Sequence, residues 1–309
     1  MKPEKVSFHG IIPPVVTLFN NDGDFNWEAN EQLTDFLITK GVHGILYMGS
    51  TGEFSSLTIE QRKRFVEKMV AYVNHRVPVL IGTGTTSLTD TIDLSKHAQE
   101  SGADGVLVVS PYYWKFNEVQ LFDYYTAIAK SIDISVMIYN IPMLTGQSLS
   151  PKLVAKLAQN CENIIGIKDT IESLGHIRQL ISETKEKRED FAVFAAFDDL
   201  LYPSLQIGAA GAINGTAVFA PEFSVQLYSS FTTGDFKGAL SLHQKISSLM
   251  SIYEFSEPLY LAIKEIVNKS ILGYKTANLP PTGTLDHELN IKLEEYIRKH
   301  GDGFPVSII

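Results

Sequence analysis

Short apolar runs rich in Ile, Val and Leu recur along the chain at 10–19, 44–49, 78–84 and 105–111, then at 135–142, 164–169, 191–198 and 211–216. Most are continuous rather than alternating, the pattern of a strand covered on both faces. Between them lie segments such as 28–41 and 59–73, whose apolar residues fall at helical spacing with charges on the opposite face. Strands that alternate with amphipathic helices form a parallel sheet wrapped by helices. Eight such units, about 30 residues apart, predict an α/β fold of the (β/α)8 TIM-barrel kind. A Rossmann-like doubly wound sheet fits less well: the first strand is not followed by GxGxxG, and "GTGTT" at 82–86 lacks the third glycine. Pro13 and Pro14 stand inside the first run, where each removes a ladder donor, so that strand is expected to begin irregularly or with a bulge.

From about residue 225 the strand pattern stops and only helical periodicity remains, at 235–253, 257–271 and 286–301, with "NLPPTG" (278–283) breaking the last two apart. The expected organisation is a catalytic barrel over 1–224 and a C-terminal helical unit over 225–309.

Composition narrows the picture. With 309 residues and 44% hydrophobic content the chain can bury a large core. Twenty-six Lys+Arg against 35 Asp+Glu leave a net charge of −9, which argues against nucleic acid or an anionic membrane as partner. An anionic small molecule must then be held by local donors. Cys161 is the single cysteine, so no intrachain disulfide can form and a reducing, cytoplasmic compartment is expected. "MKPEKVSFHG" carries no secretory pattern, and no apolar run approaches a membrane span.

Chemistry in such a barrel collects at the C-terminal strand ends. In "NIIGIKDT" (163–170) Lys168 follows directly on an apolar strand. Alternation places Gly166 and Lys168 on one face and Ile165 and Ile167 on the other. If the isoleucines face the helices, Lys168 enters the barrel mouth, where loss of hydration disfavours an ammonium and leaves an amine able to attack a ketone and form a Schiff base. The competing reading is a structural lysine paired with Asp169 or another carboxylate. Tyr139, in "YNIP" (139–142), falls beside Lys168 on the preceding strand, as a proton shuttle or as a core filler. The loop "GSTGE" (49–53) brings Gly49, Ser50 and Thr51 together: backbone N–H groups and two hydroxyls able to cradle a carboxylate, or simply a turn with a helix cap. The eight histidines are scattered through helices and termini, and His43 precedes its strand, so no metal centre is expected.

With "GSTGE", "SPYY" (110–113), "YNIP" and "GIKDT" (166–170) in this order at successive strand ends, the chain resembles the dihydrodipicolinate synthase / N-acetylneuraminate lyase family over nearly its whole length. The resemblance implies that pyruvate, or the pyruvate half of a 2-oxo acid, binds as an imine on Lys168, with no other cofactor and no metal. It implies a proton relay through Tyr139, Ser50 or Thr51 and a Tyr113 contributed to a neighbouring subunit, in a homotetramer built as a dimer of dimers. Synthases of the family carry an arginine two residues after the proline of "YNxP", to hold an aldehyde bearing its own carboxylate, whereas this chain has Leu144 there. Sialic-acid lyases read "YDE" after strand seven, where this chain has "FDD" (197–199). "GIIPPVVT" near the start, "SPYYWK" (110–115), "YNIPMLTG", "GIKDT" and "FDD" together look most like the 2-keto-3-deoxygluconate aldolase branch. Asp198, Asp199, Asn214 and Thr216 would then serve the polyol tail, with an N-cap role as the alternative for the Asp pair and a glycine-lined phosphate site as the alternative for 208–217. The expected activity is a reversible class I aldolase acting on a 2-oxo acid and an aldehyde. The alternatives are a synthase, N-acetylneuraminate lyase or dehydratase using the same imine, a metal-dependent barrel enzyme, and a non-catalytic sugar-acid sensor.

Overall fold

The computed structural model describes residues 7–300. The outer ends of the expected 1–224 and 225–309 units, and the last residue of the helix expected over 286–301, lie outside them. Among the described residues eight strands form one parallel sheet: β1 (Gly10–Ile11), β2 (Ile45–Tyr47), β3 (Val79–Gly82), β4 (Gly105–Val109), β5 (Ser135–Asn140), β6 (Ile164–Asp169), β7 (Ala192–Ala195) and β8 (Gly211–Ala212). Each pairs with its neighbour in sequence from β2 to β8, and β8 pairs with β1. The sheet closes through Pro14, bridged to Leu46 of β2. Both prolines lie on this seam, where their missing N–H groups matter little: Leu46 N donates to Pro13 O, and Val15 N donates back to Leu46 O.

Helices follow the strands and start where short polar side chains can cap them. Thr58 and Gln61 form a reciprocal capping box on the helix Ile59–Val73, and Asn117 and Gln120 repeat it on Glu118–Ser131. Outward-facing Ile81, Val108, Ile138, Ile167 and Val193 pack against these helices. Leu46, Leu80, Leu107, Met137 and Phe194 fill the barrel interior below the strand ends.

One expectation is corrected. The β5–β6 register runs from Val136 opposite Ile164 to Met137 opposite Gly166, so one residue of β6 is extra. Ile165 is that residue, and it turns into the barrel interior instead of toward the helices. The bulge interrupts alternation once and restores it before Lys168. The division expected at 224/225 falls inside the helix Pro221–Thr232, which packs on β1 as part of the barrel's outer ring. The C-terminal helices Phe236–Leu249, Tyr260–Val267 and His287–His300 share the barrel's apolar layer through Leu249, Ile263, Ile266 and Leu293. No helix among the described residues is long and apolar enough to cross a membrane.

Candidate active site

The β5–β6 register sets Tyr139 opposite Lys168. Both are buried. Lys168 Nζ donates to Tyr139 Oη at 3.4 Å and lies 4.3 Å from the centre of the Tyr139 ring. Tyr139 Oη is in turn 3.3 Å from Ser50 Oγ, so its own hydrogen is available to the serine. These contacts are at the long end of hydrogen bonding, a geometry that tightens when a ligand enters between the groups. Lys168 has no carboxylate within salt-bridge distance among the described residues. Asp169 points away from it, accepting from Asn140 Nδ2 at 2.7 Å and pairing with His176 Nδ1 at 2.8 Å. Asn140 Oδ1 also receives Leu149 N, so this buried set ties β5, β6 and the following segments together behind the lysine. The hydrogen bond that His176 donates to Asp169 is the main cause that raises His176 above its ordinary value.

A cavity opens beside this chain of hydroxyls, lined by Gly49, Gly82, Gly84, Leu107, Val109 and Tyr139. Glycine is required at 82, where a Cβ would come within 2.0 Å of Met48 O. Arg62, from the helix Ile59–Val73, reaches under the same segment: Nη2 donates to Gly82 O at 2.9 Å and Nη1 to Gly84 O at 3.3 Å. Its guanidinium is stacked over Phe54, and burial pulls it down to about 10. No acid is paired with it among the described residues. A buried cation without an acid partner favours an anion in the adjoining space. Met48 (φ 55°) and Glu53 (φ 60°) hold left-handed backbone on either side of the Gly49–Gly52 turn, strain that the surroundings must impose. Thr51 is buried within that turn.

The remaining candidates divide. Tyr113 is 86% exposed, at φ 84°, with its ring edge-on to Trp114, and no hydrogen bond joins it to Ser50, Thr51 or Tyr139 of its own chain. Leu144 is exposed on the short helix Pro142–Thr145, directly after β5. Asp198, Asn214 and Thr216 come together, but facing one another. Asp198 is fully buried, with Oδ1 accepting from Asn214 Nδ2 at 2.6 Å, Thr216 N at 3.2 Å and the Thr216 hydroxyl, and Oδ2 accepting from the Tyr253 hydroxyl. Burial pushes its carboxyl up despite these donors. Protein donors thus already engage both oxygens of Asp198. Asp199 caps no helix, and its Oδ1 is buried without a partner.

Sequence reasoning passed over Asn140, His176, Arg62, Lys264 and Tyr253. Asn140 and Glu53 stood inside quoted motifs, and His176 lies seven positions from its partner Asp169, but the partners of Arg62, Lys264 and Tyr253 lie farther along the chain. Among the described residues no group of three or more His, Cys, Asp or Glu side chains is placed to hold a metal.

A sequence profile of the dihydrodipicolinate synthetase family matches residues 7–300. The chain belongs to that family. It is 42% identical to the "Putative 2-dehydro-3-deoxy-D-gluconate aldolase YagE" of Escherichia coli (strain K12), over 96% of this chain and 98% of that one. It is equally 42% identical to the "Probable 2-dehydro-3-deoxy-D-pentonate aldolase YjhH" of the same organism, over 95% and 98%. The crystal structure of YagE in complex with pyruvate superposes with a TM-score of 0.93 at 41% identity, covering 96% of this chain and 99% of that one. The dihydrodipicolinate synthase of Aquifex aeolicus superposes with a TM-score of 0.90 at 29% identity, over 97% and 100%. The chain is a carbon–carbon lyase of this family, whose members act on small 2-oxo acids and aldehydes.

Proposed function

We propose that the protein is a class I aldolase that reversibly cleaves a 2-keto-3-deoxy sugar acid, such as 2-keto-3-deoxygluconate, to pyruvate and glyceraldehyde. The observation that carries this reading is the Ser50–Tyr139–Lys168 chain, a buried amine without an acid partner among the described residues, reached by a phenol and a serine hydroxyl. The neutral amine of Lys168 attacks the C2 ketone, and the carbinol hydroxyl leaves as water with the phenolic proton of Tyr139, giving a protonated imine and a Tyr139 phenolate. Tyr139 takes the proton of the C4 hydroxyl. The C3–C4 bond then breaks, its electron pair moving into the imine to give an enamine while the C4 oxygen becomes the aldehyde. A proton returned to C3 and hydrolysis by water release pyruvate and regenerate the lysine.

In this reading Ser50, Thr51 and the backbone of Gly49 hold the carboxylate, with Arg62 supplying positive potential beneath. The pyruvate in the YagE structure supports a 2-oxo acid as ligand. The five-carbon substrate in the name of YjhH makes a 2-keto-3-deoxy pentonate a member of the same proposed class. Tyr113, exposed in its own subunit, is assigned to a neighbour's relay in a homotetramer, and the single, buried Cys161 accords with the cytoplasm. Leu144 cannot pair with a carboxylate, which sets the reading against a synthase using aspartate semialdehyde. Acceptor profiling with pyruvate as donor tests it: glyceraldehyde and glycolaldehyde should turn over, and aspartate semialdehyde negligibly. Preference for aspartate semialdehyde would make the protein a synthase instead.

A further inference from the structure

The loop assigned to the carboxylate ends at Glu53, and Glu53 is bound to a residue 211 positions away. Lys264 Nζ lies 2.7 Å from Glu53 Oε1 and 4.8 Å from the centre of the Phe19 ring. Both side chains are almost completely removed from solvent. Lys264 belongs to Tyr260–Val267, a helix of the C-terminal extension. Burial pushes Glu53 up and Lys264 down, and their contact opposes both shifts.

A buried ion pair is a poor way to stabilise a fold, because removing two charges from water costs about as much as their attraction returns, and an apolar pair of the same size does as well. What the pair offers is direction. Glu53 holds a left-handed backbone that a side chain rarely adopts, immediately after the turn carrying Ser50 and Thr51. Inside the turn Glu53 N donates to Ser50 O at 3.1 Å and Gly52 N donates to Gly49 O at 3.0 Å, while Thr17 Oγ1 ties Gly52 O to the first strand's extension at 2.7 Å. The position of Ser50 Oγ relative to Tyr139 therefore depends on where Glu53 is held, and its ion-pair partner comes from the extension.

We propose that the Glu53–Lys264 pair is a positioning device through which the C-terminal helices set the carboxylate-binding loop of the catalytic site. Glu53 and Lys264 are positioning residues that touch no substrate. The inference rests on the reading of Gly49–Thr51 as the carboxylate cradle and makes the extension part of the catalytic machinery.

The test uses the full-length chain, with the rate of borohydride inactivation measured across a range of pyruvate concentrations. For the Glu53→Gln/Lys264→Met double variant, which keeps volume and removes both charges, the expected result is a native circular dichroism spectrum and an unchanged melting temperature. The half-saturating pyruvate concentration should rise about tenfold or more, as small displacements of binding groups produce, with the limiting inactivation rate little changed. Lys264→Arg, which keeps the charge but alters the reach, should give a smaller rise of the same kind. Half-saturation equal to the wild type in either folded variant overturns the proposal, as does a loss confined to melting temperature. If the wild-type enzyme is not inactivated by borohydride with pyruvate, the Schiff-base reading fails, and this inference with it.

Discussion

Two polar clusters occupy the same rim of the barrel and differ in how fully their hydrogen-bonding groups are engaged. At the ends of β7 and β8, Asp198 takes four donors, from Asn214, Thr216 (twice) and Tyr253, on its two oxygens. At the ends of β2, β5 and β6, Ser50, Tyr139 and Lys168 form an open chain with contacts of 3.3–3.4 Å and no carboxylate among the described residues. A saturated carboxylate such as Asp198 is structure: its oxygens are already engaged, and a substrate would have to displace their donors. An unsaturated cluster has capacity left for a ligand. Residue type cannot separate the two, since both contain the hydroxyl and charged groups that a sugar-acid enzyme needs.

Substitutions that treat the clusters alike break or sharpen the contrast. The largest effect is expected from Lys168→Ala, which should lower cleavage by at least about 10⁴-fold while leaving the melting temperature equal or higher, because it removes a buried amine. Tyr139→Phe should follow with a loss of about 10²–10⁴-fold, the usual contribution of a positioned proton carrier. Steady-state cleavage assays check both. Asp198→Ala should behave in the opposite way, costing about 3 kcal/mol of stability because three partners lose their acceptor in a dry environment. In denaturant unfolding that loss would appear at once, while the fraction still folded should bind pyruvate with unchanged half-saturation. A selective loss of activity in Asp198→Ala without a loss of stability would merge the two clusters into one site.

The Asp169–His176 pair lies between these cases, buried behind the lysine yet titratable. His176 is raised above the ordinary value of 6.5 in the folded chain. Its contribution is therefore fully present below about pH 6.5 and is lost as pH rises through the raised folded value. His176→Gln should cost about 1 kcal/mol at low pH and progressively less in alkaline buffer. Unfolding curves of both proteins across that range would show the gap closing, and a gap that widens with pH would reverse the sign of the account.

The open cluster was more legible in the sequence than the saturated one, for a physical reason. Lys168 and Tyr139 end adjacent strands, and strand alternation with parallel pairing is enough to place them side by side. Ile165 was placed on the wrong face because a one-residue bulge leaves no mark in an Ile-Ile-Gly-Ile run. The donors to Asp198 arrive from the segment after β8 and from Tyr253, 55 positions on, in a turn that helical periodicity counts as ordinary helix, so local pattern does not show them. Glu53 was visible in its motif, but Lys264 looked like one more charged residue of an amphipathic helix. Position 224/225 lies within the barrel's last outer helix, which has the same periodicity as the extension that follows it. Local pattern carries the fold and the reactive pair. The tethers that fix their geometry are long-range contacts, and composition at either end does not announce them.

The central claim is that Lys168 forms an imine at which the carbon chain is cut, and the most direct measurement is to incubate the protein with 2-keto-3-deoxygluconate, add borohydride and map the adduct by peptide mass spectrometry. The account predicts a pyruvate-sized adduct on Lys168. No adduct with this compound or with pyruvate, or an adduct on a different lysine, would contradict it.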